Sequence, residues 1–419
     1  MNINFKCIKM NGFTKVHSAV VSGGVYVTQI KNLKVLILTE YYPQYLKYFY
    51  EKHPSVVNLS FEEHRKEIFE DHFGWPAELS EYMNQQGIQT EFIIANAESL
   101  QKKWAEENEF RSYSIWNWKK EIAMEQIKCF QPDILWVDSI FDYYGRFVKD
   151  ALKYSKKAIT WVGSPFIEKI DVSGFSVLLT ENPNTFKSIQ NQFEKVIITK
   201  PGFDPEVLKK IGSVEKKYDV TFVGGISASH TKRAEVLAYL IKNGINIKVF
   251  GYLPPGKLKS IVLEVLHILK HRNLQTAIST LKQTFVKTDF QRNVESIKSV
   301  HQVPVFGLDM YRTMAASRIT LNIHIDVVGK YAGNMRMFES TGIGTCLLAE
   351  HSESINELFE PGKEILTFNS KEDLLEIIQK LLNDNEKIEQ IAKAGQKRVL
   401  QCHTLERMFN DIKPAFDIS

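Results

Sequence analysis

The feature that most constrains this chain is a rhythm that runs through it twice. Short apolar runs rich in leucine and β-branched residues alternate with amphipathic stretches of helical period. LKVLILT (33–39), QTEFIIAN (89–96), PDILWVDS (132–139), KAITWVG (157–163) and SVLLTEN (176–182) make up the first pass. Runs of this kind suit strands buried on both faces of a parallel sheet. Helical patterns such as 62–86 and 117–130 lie between them. Strand, helix, strand in repetition predicts an α/β chain with a doubly wound sheet.

The rhythm then restarts. Residues 199–218, TKPGFDPEVLKKIGSVEKKY, are rich in Pro, Gly and Lys and read as a linker. After them come YDVTFVGG (218–225), NIKVFG (246–251), RITLNIHID (318–326), GTCLLAE (344–350) and EILTF (364–368). A chain of 419 residues is too long for one ordinary core, so two α/β domains are expected. The division predicted is 1–200 for an N-terminal domain, 201–217 for the linker and 218–400 for a C-terminal domain. A helix over about 371–399 and a closing helix over 401–419 follow, the latter packing back toward the N-terminal domain. Residues 1–30, with Gly23-Gly24 between strand-like pieces, read as an added hairpin or edge.

One segment breaks the alternation. Residues 256–300 are helical in pattern, with eight Lys/Arg against three Asp/Glu. They read as a basic insertion in the second domain: a solvated helical hairpin, or a surface for anionic lipid headgroups or a partner protein.

Composition narrows the function. A net charge of +4 is too small to argue for nucleic acid. The four cysteines (Cys7, Cys129, Cys346, Cys402) have no metal or redox spacing and read as reduced thiols. The opening MNINFKCIKM has no signal-peptide core, and no apolar run approaches the roughly 18 residues of a membrane span. The expectation is a cytoplasmic protein that meets its substrate in solution or peripherally at the inner membrane surface.

Three constellations carry chemistry. In 218–240, Gly224 and Gly225 end a strand and let the backbone turn tightly beside a ligand. Lys232 and Arg233 follow at the start of a helix. Free N–H groups and basic side chains there favour phosphate. A plain glycine turn is the alternative. In AGNMRMFESTGIGT (332–345), Asn334, Arg336 and Glu339 are interleaved with apolar residues. Arg336 and Glu339 share a helix face and can simply pair. They can also serve a nucleoside diphosphate, Arg336 for the phosphates and Glu339 for the ribose hydroxyls. In LNIHID (321–326), Asn322, His324 and Asp326 would share one face of a strand that ends at the ligand-binding edge of the sheet.

At these residues the chain resembles a known family. DVTFVGG, VFGLDMYRTMAASRITLNIH, NMRMFESTGIGTCLLAE, FEPGKEILTFNSKEDL and HTLERM are similar to the CgeB-like, "glycosyl transferase group 1" C-terminal domain. YYPQYLKYFY, FGWPAELSEYMNQQG and NAESLQKKWAEE resemble the matching acceptor half. The resemblance implies a GT-B fold, two Rossmann-like domains facing a central cleft. It implies a nucleotide-sugar donor held by the second domain, and a glycan, lipid-linked or protein acceptor of cell-surface type. Larger retaining families carry two glutamates eight positions apart; Glu339 matches the second, and Tyr331 stands at the first. Gly307, Asp309 and Met310 fall where such enzymes hold the base.

Transfer by such a protein is expected to need neither metal nor cofactor. Lys232, Arg233 and Arg336 are the cations for the leaving phosphates. An inverting reaction also needs a general base from the N-terminal half. Asp71 and His72, in EDHFGWP, and Asp138, ending PDILWVDS, are the candidates, with a helix cap or a surface charge as the plain alternative. A sugar-nucleotide epimerase or hydrolase, and a degenerate binding protein, share the architecture.

Overall fold

The computed structural model describes residues 32–138, 140–163, 170–182, 190–227, 231–254, 288–324 and 334–418. The N-terminal strands are β1 (Lys34–Thr39), β2 (Gln89–Ile94), β3 (Ile134–Val137), β4 (Lys157–Trp161), β5 (Val177–Thr180) and β6 (Lys195–Ile198). They form one sheet in the order β2-β1-β3-β4-β5-β6. All its pairings are parallel. Around it lie α1 (Pro43–Lys52), α2 (Phe61–Glu70), α3 (Trp75–Gln85), α4 (Glu98–Glu107), α5 (Trp118–Phe130) and α6 (Arg146–Ala151).

The linker holds a short helix, α7 (Glu206–Ile211). The second sheet follows, with β7 (Tyr218–Val223), β8 (Ile247–Phe250), β9 (His301–Gln302), β10 (Ser317–Asn322), β11 (Cys346–Glu350) and β12 (Leu366–Phe368). Its order is β12-β11-β10-β7-β8-β9, again parallel. The helices of this half are α8 (Thr231–Lys242), α9 (Asp289–Ile297), α10 (Gly307–Ala315), α11 (Met335–Gly342), α12 (Ile355–Leu358), α13 (Lys371–Leu381) and α14 (Asn385–Cys402).

Burial explains the double winding. Along β1, Val35 and Ile37 enter one core while Leu36 and Leu38 enter the core on the opposite face. Along β7, Val220 and Phe222 face one core and Val223 the other. A strand apolar on both sides is stable only when helices cover both faces of its sheet.

The halves are tied twice behind the cleft. Phe203 of the linker pairs with Thr404 beyond α14. The last helix, α15 (Leu405–Ile412), then lays Leu405, Met408, Phe409 and Ile412 into the N-terminal core.

Several expected elements change. The pattern over 62–86 is two helices, because His72 and Gly74 take positive φ and Pro76 begins a new one. The stretch 371–399 is likewise two, with Asp384 capping α14. The basic segment 256–300 lies outside the described residues up to 287. Its end is no insertion: α9 buries Val294 and Ile297 against the same core as α8 and leads into β9. The expected hairpin over 1–30 lies outside the described residues. No helix among the described residues is long and apolar enough to cross a membrane.

Candidate active site

A cleft of about 650 Å³ opens between the carboxyl edges of the two sheets. In the first sheet it lies where β1 is flanked by β2 and β3. In the second it lies where β7 is flanked by β8 and β10. These are the topological switch points, where adjacent loops diverge and leave a crevice. Thr39, Asp138 and Glu181 line the N-terminal wall; Gly224, Gly225, Asn322, Asn334, Arg336 and Glu339 line the other.

On the C-terminal wall, α11 begins at Asn334 with no side-chain cap on its first turn. Its first turn lines the cleft, so the N–H groups and positive dipole end of the helix start open on a place suited to an anion. The Asn334 amide donates to Asn322 Oδ1 at 3.2 Å, linking the helix start to the end of β10. Arg336 Nη1 lies 2.5 Å from Glu339 Oε2. The simple pairing foreseen for these two is therefore present, with the arginine end the more exposed of the pair. Tyr311 Oη donates to Glu339 Oε1 at 3.5 Å. Burial pushes the Glu339 carboxyl above its usual range, while Arg336 and Tyr311 pull it down. Met310 also lines the cleft and touches the Arg336 guanidinium through its sulfur.

Other residues expected on this wall have structural partners. Arg233 is buried; it donates to the carbonyls of Gly225 at 2.6 Å and Ile323 at 2.9 Å. Its guanidinium thus braces the glycine turn against the end of β10 while still lining the cleft. Lys232 pairs with Glu350 and is not a lining residue. β10 ends at Asn322, so His324 lies beyond the strand and does not share its face with Asn322. His324 engages Glu350 through both its main-chain N–H and its ring. Burial holds its imidazole below the usual value. Asp326 and Tyr331 lie outside the described residues.

Gly307 and Asp309 belong to the domain interface rather than the cleft. Leu308 donates its main-chain N–H to Asp71 O at 2.8 Å. Gly307 adopts φ +50°, and a Cβ there would meet the Asp71 carboxylate and carbonyl. Asp309 binds Lys52 and Tyr48 of α1, and Arg312 at 3.2 Å. Burial raises its carboxyl, but these partners outweigh that and hold it below the usual carboxylate range.

The acceptor-side candidates separate in the same way. Asp71 faces α10 and is not a lining residue; burial lifts its carboxyl to about 6. His72 lines the cleft, but its Nδ1 faces inward, 3.3 Å from Glu78 Oε1 and 3.6 Å from Asp204 Oδ2. Burial lowers the His72 imidazole; the two carboxylates outweigh it and leave the value raised. Asp138 lines the cleft, accepts from Thr39 Oγ1 at 2.8 Å, and is pushed by burial to about 6.

Sequence reading did not single out Glu78 or Glu181. Glu181 lines the cleft, and burial raises its carboxyl to about 7. The signal was available: an acid at the carboxyl end of SVLLTEN stands where ligands sit in an open α/β sheet. Glu78 carries no such mark, because it follows WPA in a helix whose first turn is buried.

Comparisons with known proteins bear on this geometry. Residues 262–413 match the family model described as glycosyl transferase-like. No curated protein sequence matches the chain. A glycosyltransferase from Rickettsia africae ESF-5 is similar in structure, with TM-score 0.52 and 11% identity over 92% of this chain and 98% of that one. HepE of Anabaena, solved with UDP-glucose, gives TM-score 0.51 and 12% identity over 92% of this chain and 99% of that one. Sucrose-phosphate synthase of Thermosynechococcus elongatus gives TM-score 0.51 and 9% identity over 92% and 98%. At such identities the likeness is one of fold, two Rossmann-like domains across a cleft. The glycosyl transferase-like match is thus carried on a chain with the GT-B fold, two parallel α/β domains facing a cleft.

Proposed function

We propose that the protein moves a glycosyl group from a nucleoside-diphosphate sugar to an acceptor hydroxyl, with the donor on the C-terminal wall and the acceptor on the N-terminal wall. The observation that carries this reading is the convergence of Gly224, Gly225, Asn334, Arg336 and Glu339 on one side of the cleft. Breaking the bond from the anomeric carbon to the diphosphate puts charge on the leaving oxygens. The first-turn N–H groups of α11 and the Arg336 guanidinium answer that charge, without a metal ion at the phosphates. Arg336 turns from Glu339 to phosphate, and the Glu339 carboxylate accepts from the ribose hydroxyls.

Asp138 takes the proton of the acceptor hydroxyl as its oxygen attacks the anomeric carbon. Among the three acceptor-side candidates it alone lines the cleft without a second acid on the same atom, and a carboxyl near 6 is a competent base at neutral pH. The acceptor is a cell-surface glycan, glycolipid or protein. HepE is solved with UDP-glucose, which supports trying UDP-sugars first.

Calorimetry with UDP, GDP, CDP and dTDP tests the donor side. One nucleotide should bind, and Arg336→Ala should weaken it. Binding of none, or equal binding by the variant, ends the proposal. Donor consumption without a transfer product would point to hydrolysis or epimerisation.

A further inference from the structure

Beside the cleft, outside the donor wall, three metal-ligating side chains from separate elements converge. His72 closes α2 with φ +50°, a backbone conformation rare for a residue with a side chain. Glu78 lies in the first turn of α3, and Asp204 lies in the linker just before α7. His72 Nδ1 is 3.3 Å from Glu78 Oε1 and 3.6 Å from Asp204 Oδ2, and all three ligand atoms fall within 4.8 Å of one another.

Two of the three candidate ligand atoms make no hydrogen bond. His72 Nδ1 and Glu78 Oε1 are both buried without one, on side chains of residues only 7% and 5% exposed. Burying an unsatisfied polar atom costs about 1–3 kcal/mol, more for a charged one, and an ion held between these groups would remove that cost. Charge says what kind. Two carboxylates and a neutral imidazole balance one dication.

We propose that His72, Glu78 and Asp204 form a site for one divalent transition-metal ion, zinc by preference. Zinc takes nitrogen at about 2.0–2.1 Å and carboxylate oxygen at about 2.0–2.2 Å, so neighbouring ligands of a tetrahedral ion stand roughly 3.3–3.5 Å apart. The two His72 separations are close to that edge length. One nitrogen and two oxygens, with no sulfur, suit zinc better than a soft ion, and the imidazole favours it over magnesium or calcium. Three protein ligands leave a fourth position for water, and His72 borders the cleft. The ion would clasp the N-terminal wall to the linker next to Phe203, which carries the crossing to α15. This site stands apart from the donor reading and does not depend on it.

The test uses untagged, full-length protein stripped with a chelator. Zinc is titrated by calorimetry, and cobalt(II) by its visible d–d bands. The expected result is one ion per chain, a tetrahedral cobalt spectrum and a Tm that rises on adding zinc. Glu78→Gln and Asp204→Asn, each checked for a native far-UV spectrum, should weaken zinc at least about 10-fold, a loss that even outer-shell changes can bring. Absence of saturable one-to-one uptake by the folded wild-type chain overturns the proposal. So does unchanged zinc affinity in both variants.

Discussion

Arg336 Nη1 sits 2.5 Å from Glu339 Oε2, within one turn of a helix that starts on the cleft. The pair sets a guanidinium against a buried carboxyl beside the place proposed for the donor. Removing the guanidinium leaves that carboxyl with the Tyr311 hydroxyl alone.

Arg336→Ala should therefore do two things. Nucleotide affinity should fall by roughly 10–100-fold, the worth of one charge-assisted hydrogen bond of about 1.5–3 kcal/mol. Stability should fall too, and more at high pH. The Glu339 carboxyl is already raised, and losing Arg336 raises it further. A group with a raised folded-state pKa stabilises below its unfolded value and loses that contribution as pH rises through the folded one. Urea unfolding at pH 5 and pH 8, beside nucleotide calorimetry, checks both effects. A variant equally destabilised at the two pH values would refute the electrostatic account.

Asp138→Asn should cut kcat by about 10²–10⁴ while leaving nucleotide binding close to wild type, the range usual for losing a general base. In the wild-type protein, activity should rise with pH through about 6, as the buried carboxyl gives up its proton. Steady-state rates across pH 5–8 would show this limb, and the variant should lack it.

Asp71→Asn should behave quite differently. The Leu308 N–H bonds the main-chain carbonyl of Asp71, which the substitution keeps. Turnover should stay within a few-fold of wild type. Gly307→Ala, by contrast, puts a Cβ against both the Asp71 carboxylate and its carbonyl at φ +50°. The left-handed conformation alone costs about 1–2 kcal/mol, and the clash adds to it. Thermal melts should show a clear fall in Tm for Gly307→Ala and almost none for Asp71→Asn.

The same residues explain what could be read in the sequence. β1, β3 and β5 are legible because each is buried on both faces and so carries a nearly unbroken apolar run. β6 stands out less: it is an edge strand whose Val196, Ile197 and Ile198 are only partly buried. β9 is too short to leave a pattern. The alternation in LNIHID continued past Asn322 although the strand did not, since alternation in sequence does not fix where pairing stops. Arg336 and Glu339 were legible as neighbours because helical spacing is local. The interface contacts of Asp71 and Asp309 are illegible for the opposite reason. Leu308 for Asp71, and Tyr48 and Lys52 for Asp309, lie across the domain interface, and such pairings leave no local trace.

Glu181 gives the last test, one of burial rather than catalysis. Its Oε2 is buried without a hydrogen bond, and burial lifts the carboxyl from the ordinary value to about 7, with the Lys200 ammonium opposing only in part. The folded pKa therefore lies above the unfolded one. The protonated acid stabilises the fold below about pH 4.5, and that contribution drains away as pH rises to 7. At about 1.4 kcal/mol per unit, the swing is on the order of 3 kcal/mol. Glutamine has the same shape and no charge to bury. Glu181→Gln should match or trail wild type at pH 4.5 and gain on it steadily up to pH 8 in urea unfolding. A stability difference that does not change with pH would mean that water reaches this carboxylate, and that the N-terminal wall of the cleft is wetter than its lining implies.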